Sequence, residues 1–252
     1  MTGRTLVIGD IHGMYDSFMR SLEHARYAGS DRLIFLGDYL NRGKRSMDVM
    51  DFLLQLSRNP MNVFLRGNHE EMILKLFAGR TEYWYTWLGY GGGRAAIESY
   101  GEDAGRIQAD GESYILTMGH QAVSLAEPEA TTQFIAELFP QEHLDFMLKT
   151  TVMYETDRFY FCHAGIEAGV PLKAQKAYTD CFMTWGDNTF ITDESDYEKT
   201  VIFGHYHLKA PLLRSNRACI ALRDSVGILD LGNRVVVDSE GNRTESERDL
   251  WR

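Results

Sequence analysis

The sequence predicts an α/β fold, and three observations predict it. The first part of the chain alternates short β-rich runs with stretches of helical apolar spacing. The last part pairs β runs about tight turn dipeptides. Five apolar runs also end in small, sharp turns that carry a polar side chain: Leu6-Val7-Ile8-Gly9-Asp10, Leu33-Ile34-Phe35-Leu36-Gly37-Asp38, Val63-Phe64-Leu65-Arg66-Gly67-Asn68, Phe159-Tyr160-Phe161-Cys162-His163 and Val201-Ile202-Phe203-Gly204-His205. Side chains fixed at neighbouring strand ends share one rim of a sheet.

Thr5 to Gly9 is the first strand, and Met14 to Ala28 carries Phe18, Leu22 and Ala25 at helical spacing. The unit then repeats: strand at Arg32 to Leu36, helix at Met47 to Leu56 with Val49, Met50, Leu53 and Leu54 inward, strand at Asn62 to Leu65. This βαβαβ order favours parallel neighbours. A helix continues from Glu70 to Phe77, where Glu70 and Glu71 read as first-turn acids favoured by the helix dipole. Residues 78–150 form a mostly helical insertion. It opens on an aromatic stretch (Tyr83, Trp84, Tyr85, Trp87, Tyr90), read as local core, and Gly91-Gly92-Gly93-Arg94, and it holds helices at Thr131 to Phe139 and Glu142 to Lys149. Two hairpins follow: Thr151 to Glu155 with Arg158 to Phe161 about Thr156-Asp157, and Ile228 to Leu231 with Arg234 to Val237 about Gly232-Asn233. One domain spans 1–238, and a polar tail, 239–252, is expected to fray.

At 252 residues, 44% hydrophobic and 25% charged, the chain can bury a full core. A net charge of -10 argues against a general nucleic-acid or membrane-surface binder, which would carry a basic face. The start enters a strand without an apolar leader, and no run approaches the roughly 18 apolar residues of a membrane span. A soluble, cytoplasmic protein is the expectation. Cys162, Cys181 and Cys219 form no C-x-x-C pair and read as reduced core residues.

Asp10 and His12 sit two apart between Gly9 and Gly13, where extended geometry would turn both to one face and let them hold one cation. Asp38 can bridge two ions with its two oxygens, and Asn68, His163 and His205 would complete the second. Mixed oxygen and imidazole donors suit manganese first, with iron or zinc as alternatives, rather than calcium. Two such ions about 4 Å apart can clamp the attacking and leaving oxygens of an in-line displacement. His24, His120 and His143 lack such settings and read as surface or structural residues.

Gly9-Asp10-Ile11-His12-Gly13, Gly37-Asp38-Tyr39-Leu40-Asn41-Arg42-Gly43, Arg66-Gly67-Asn68-His69-Glu70, His163-Ala164-Gly165 and Gly204-His205, in that order over residues 9 to 207, resemble the phosphoprotein phosphatase family of calcineurin-like metallophosphoesterases. The resemblance implies a sandwich of two mixed β-sheets flanked by helices, with a dinuclear centre at the strand ends. It makes Asp10 and His12 ligands of one ion, Asp38 the bridge, and Asn68, His163 and His205 ligands of the other. Arg42 and Arg66 would grip phosphate through their planar forks, and His69 would protonate the leaving oxygen. A metal-bridging hydroxide would attack directly, without a phosphoenzyme.

Three departures from that pattern bear on substrate. Asn41 stands where the protein phosphatases carry an aspartate that charges the histidine matching His69. An amide accepting the same hydrogen bond cannot stabilise an imidazolium as a carboxylate does. Weaker acid catalysis would hurt alkyl phosphates more than aryl phosphates or phosphoanhydrides. Residues 164 to 204 lack the family's further phosphate-gripping arginine and offer only Lys173, Lys176 and Lys199. Gly204-His205-Tyr206-His207 is similar to the Gly-His-x-His ending of broader metallophosphoesterases, making His207 a candidate seventh ligand. A phosphatase related to the bacterial Ser/Thr protein phosphatases is the first expectation, acting on phosphoproteins, phosphopeptides or small phosphate esters. A dinucleoside polyphosphate hydrolase acting on nucleotides such as diadenosine tetraphosphate is the second. A non-catalytic metal-binding scaffold is the third.

Overall fold

Period-two alternation in the first strands decides the layering. In β1 (Thr5–Ile8), Leu6 and Ile8 pack with the helices, whereas Val7 points to the opposite face. In β2 (Arg32–Phe35), Leu33 and Phe35 join the helical side and Ile34 the other. The computed structural model describes residues 3–111, 113–118, 120–175, 184–186 and 188–246. Cys181 and the end of the tail lie outside these.

The βαβαβ expectation holds. β1, β2 and β3 (Val63–Phe64) are parallel neighbours, linked by α1 (Tyr15–His24) and α2 (Ser46–Leu56). After α3 (Asn68–Phe77) the insertion is helical in the main: α4 (Tyr83–Tyr85) runs into a π-helix (Thr86–Tyr90), then α5 (Gly93–Ser99) and a short 3-10 turn (Ala104–Arg106). An antiparallel sheet with no counterpart in the sequence expectation follows, β4 (Ile107–Asp110), β5 (Ser113–Met118) and β6 (Gln121–Ser124). Its β6 has no buried residue, so apolar alternation is faint there. Two helices close the insertion, α6 (Pro128–Leu138) and α7 (Gln141–Lys149).

The first hairpin forms as expected from β7 (Met153–Glu155) and β8 (Phe159–Cys162). Short helices α8 (Leu172–Gln175) and α9 (Thr189–Thr192) precede β9 (Thr200–Phe203), β10 (Leu212–Arg214) and β11 (Arg217–Cys219). The second hairpin pairs β12 (Ile228–Asp230) with β13 (Val235–Val237). The polar segment after Asp238 is ordered where it is described: β14 (Arg243–Glu245) pairs with β13 and extends the sheet.

Two mixed sheets result, ordered β14-β13-β12-β1-β2-β3 and β10-β11-β9-β8-β7. Val7, Ile34, Leu65, Phe161, Ile202, Ala218, Leu229 and Val236 fill the layer between them. Helices α1, α2, α3, α6 and α7 cover the outer face of the first sheet, and α9 with its loop covers that of the second through Phe190 and Tyr197. The parallel strands β1, β2, β3, β8 and β9 all end at one rim. No described helix is long and apolar enough to cross a membrane.

Candidate metal centre

Backbone turns, not strand alternation, aim the side chains. Each parallel strand stops short of its ligand, and six site residues adopt left-handed backbone: His12 (φ 47°), Asp38 (54°), Asn41 (75°), Arg42 (60°), His205 (70°) and His207 (43°). Only Arg26 and Arg234 share this among the other described non-glycine residues. The extended geometry expected for Asp10 and His12 is therefore replaced by a turn, although both do reach the same cluster. A left-handed non-glycine residue costs about 1 kcal/mol or more, so its concentration here marks a site held in shape by its surroundings. Two glycines let the carboxylates in. A Cβ on Gly67 would lie 2.1 Å from Asp38 Oδ1, and one on Gly204 would lie 2.2 Å from Asp10 Oδ1.

Backbone amides fix both carboxylates. His205 N–H donates to Asp10 (3.0 Å to Oδ2), and His69 N–H at the start of α3 donates to Asp38 Oδ1 (3.0 Å). Asp38 Oδ2 then stands among three imidazoles, 3.3 Å from His163 Nε2, 3.5 Å from His12 Nε2 and 3.8 Å from His69 Nε2. Three groups, Asp10 with His12 and His207, His12 with Asp38 and His69, and Asp38 with His163 and His205, each bring ligand atoms within 4.8 Å of one another. Asn68 Oδ1 approaches His163 Nε2 (3.1 Å) and His205 Nδ1 (3.0 Å).

The proton positions suit a cation. His163 Nδ1–H donates to the Leu36 carbonyl (2.8 Å) and His12 Nδ1–H to the Leu40 carbonyl (3.3 Å), which turns each Nε2 inward. His12 Nε2 and Asp38 Oδ2 are buried polar atoms without a hydrogen-bond partner among the described residues. Orphans of this kind are rare in a folded interior and fit a metal ion between them. Burial, then neighbouring positive or imidazole groups, push His69 and His207 down to about 4 and His205 to about 3, leaving neutral donors. Burial and Asp38 raise Asp10 to about 7. Burial pulls His163 down, but the Asp38 and Asp10 carboxylates outweigh it and lift the ring to about 9. The carboxylates thus call for positive charge at this place, which a divalent ion would answer.

Arg42 reaches the rim. Its Nη1 donates to His207 Nε2, and Nη2 comes within 3.4 Å of His69 Nε2. Arg66 does not. Its Nε binds Thr150 Oγ1 (3.1 Å), Nη1 pairs with Glu71 (3.2 Å) and Nη2 binds the Leu148 and Thr150 carbonyls (3.2 and 3.1 Å). The phosphate grip expected of it is not the arrangement in this structure, because four of its donor bonds are already engaged, three tying the end of β3 to the end of α7 and one reaching Glu71 in α3. Asn41 meets His69 as expected but with the bond reversed: Asn41 Nδ2–H donates to His69 Nδ1 (2.8 Å) while Asn41 Oδ1 accepts from Trp87 Nε1–H (2.9 Å).

Two residues gain roles that the sequence did not reveal. Glu70 is fully buried and accepts from the backbone N–H groups of Asp38, Tyr39 and Gly67 (2.8, 2.8 and 2.9 Å), holding the turn that presents Asp38. Its third-turn-position relation to Gly67 was a capping-box signal, but with glycine at the cap the pattern is muted. Trp87 belongs to the aromatic stretch and carried no separate signal.

A model of the calcineurin-like phosphoesterase family matches residues 3–219. Among solved structures, the chain is similar to a candidate diadenosine tetraphosphatase, at 15% identity over 94% of this chain and 93% of that one, with a TM-score of 0.60. It is also similar to a cold-active protein-tyrosine phosphatase of a psychrophilic Shewanella species, at 15% identity over 97% of this chain and 80% of that one, with a TM-score of 0.56. At such identity these likenesses speak for the fold alone.

Proposed function

The chain belongs to the calcineurin-like phosphoesterase family, and from that premise we propose that it is a metal-dependent phosphatase that hydrolyses phosphate monoesters of proteins, peptides or small molecules. One observation carries the reading: Asp10, His12, Asp38, Asn68, His163, His205 and His207 converge at one rim, where the buried His12 Nε2 and Asp38 Oδ2 have no hydrogen-bond partner among the described residues. Asp10, His12 and His207 would hold one divalent ion and Asn68, His163 and His205 a second, with Asp38 between them. Manganese is the first choice, and iron or zinc also suit the donors. When bound, two such ions would supply a nucleophile from water near neutral pH and neutralise phosphate charge.

The chain's own residues do the rest. Arg42 stands at the rim to bind phosphate oxygens. Among the described residues neither thiol is suited to take the phosphoryl group covalently, because Cys162 and Cys219 are buried and burial pushes both up to about 12. Transfer direct to water is the consistent course. A second reading, hydrolysis of phosphoanhydrides in a dinucleoside polyphosphate, is favoured by the Asn41 amide donating to His69. A ring so engaged is a poor source of a proton, and a phosphate leaving group needs none.

The deciding experiment follows release of an aryl phosphate by protein stripped with a chelator and then resupplied with manganese, iron or zinc. Turnover that returns with metal supports the reading; turnover indifferent to chelation, or none with any of the three ions, would refute it. Parallel kinetics on phosphoserine peptides and diadenosine tetraphosphate then separate the two substrate classes. In Asn41→Asp the alkyl-to-aryl rate ratio should rise about tenfold or more, since acid catalysis contributes on the order of a hundredfold.

A further inference from the structure

The insertion's aromatic and glycine stretch touches the site at one buried point. Trp87 lies in the π-helix, whose register is fixed by Gly91 N–H donating to the Thr86 carbonyl (2.8 Å). A π turn inside helical structure is uncommon and gathers at functional sites. Gly93 lies flat against the indole: a Cβ there would sit 2.6 Å from the ring. Next to it, Gly92 takes a left-handed backbone (φ 70°), and its carbonyl accepts from the Arg42 N–H (3.1 Å). Both neighbours in the Asn41-Arg42 turn are thus held by the insertion.

The indole settles a choice that an asparagine leaves open. An indole N–H only donates, so the Asn41 atom facing it at 2.9 Å is the oxygen. The Asn41 nitrogen therefore faces His69 Nδ1 at 2.8 Å, that ring nitrogen is the acceptor, and the ring proton sits on Nε2. The approach of Arg42 Nη2 to the same Nε2, at 3.4 Å, is too long to outweigh two bonds below 3 Å. All three side chains are buried. Water is therefore not there to exchange for either bond.

We infer that Trp87 is a positioning residue: through Asn41 it fixes the His69 ring with Nε2–H directed at the reaction centre beside Arg42, where it serves as a hydrogen-bond donor to a phosphate oxygen. This rests on the phosphatase reading for its purpose, but the hydrogen-bond direction stands apart from it. Swapping the indole for a ring without N–H frees the amide to turn over, and the ring proton then shares both nitrogens.

The test is two-bond nitrogen-proton correlation NMR on protein labelled with 15N-histidine, stripped of metal and held at one slightly alkaline pH. In the parent, His69 Nε2 should carry the proton and Nδ1 should show the unprotonated shift. In Trp87→Phe the two shifts should move towards each other. In Asn41→Asp, which leaves Trp87 in place, they should exchange completely, because a carboxylate only accepts. Should Trp87→Phe fail to fold, benzothienylalanine at position 87 keeps the indole's shape without its N–H and should give the same movement. A parent His69 protonated on Nδ1, or nitrogens unmoved when the position 87 N–H is removed, overturns the inference. With manganese restored, kcat on an aryl phosphate should fall about tenfold in Trp87→Phe, the loss of one bond to a charged oxygen. An unchanged kcat overturns the donor role. A parent enzyme inactive with every metal would instead sink the phosphatase reading and leave the NMR result standing.

Discussion

Raising the pH from 6.5 to 9 should unfold the metal-free protein more easily while leaving the metal-loaded protein little changed. His163 carries the effect. Its ring rises from 6.5 to about 9 because the Asp38 and Asp10 carboxylates outweigh the burial that would lower it. A folded value above the unfolded one means the contribution is whole below pH 6.5 and lost as pH climbs through 9. At about 1.4 kcal/mol for each tenfold change in proton affinity, the loss is about 3 kcal/mol. For a chain of this length that corresponds to a fall in Tm of about 6 to 12 °C. Asp10 and Glu70, each raised to about 7 chiefly by burial, add slope of the same sign below pH 7. His69, His205 and His207, lowered to about 4, 3 and 4, oppose it there, because acid protonates them only on unfolding. Asp10 and Glu70 finish titrating just above 7 and those three rings are neutral in both states by then, so the upper part of the window, from about 8 to 9, isolates His163. Calorimetry in chelator and in excess manganese across that window reads the difference directly. Parallel curves, or a metal-free Tm that climbs with pH, would refute the account.

Gly204→Ala should displace Asp10, whose Oδ1 would lie 2.2 Å from the new Cβ, and weaken metal binding about tenfold to a hundredfold by titration calorimetry; undiminished affinity would count against the geometry. Arg66→Met should cost about 2 kcal/mol in urea unfolding through its lost bonds to Thr150, Glu71 and two carbonyls, with KM for an aryl phosphate nearly unchanged. A large rise in KM without loss of stability would return Arg66 to the phosphate. His207→Ala should lose one metal equivalent by elemental analysis, since the ring shares a cluster with Asp10 and His12; full content of both ions would remove it from the ligand set.

Much of the scaffold could be read from the residues because local signals and tertiary demands agree there. The runs at Leu6, Leu33 and Val63 are apolar where both faces of a strand are covered, and Thr156-Asp157 and Gly232-Asn233 mark turns that do join hairpins. The rim itself followed from five strand ends carrying side chains of the kinds that can bind metal. What stayed hidden depends on direction in space rather than on residue type. Arg66 stands two residues before Asn68, yet its guanidinium turns away to the end of α7, a segment over eighty residues further along. Glu70 looks like any acid in a first helical turn until three backbone N–H groups are found converging on it. The polarity of the Asn41 amide is set by an indole 46 residues away. Sheet β4 to β6 escaped because most of its side chains meet solvent, and only Tyr114 and Leu116 of β5 alternate inward.

The candidate ligands come from both layers of the sandwich: Asp10, Asp38 and Asn68 follow strands of one sheet, and His163 and His205 follow strands of the other. Ions gripped from both sides would rivet the seam. Shearing one layer along its partner would then have to break coordination, so ion escape and the slow breathing of the seam would be a single motion with a common rate.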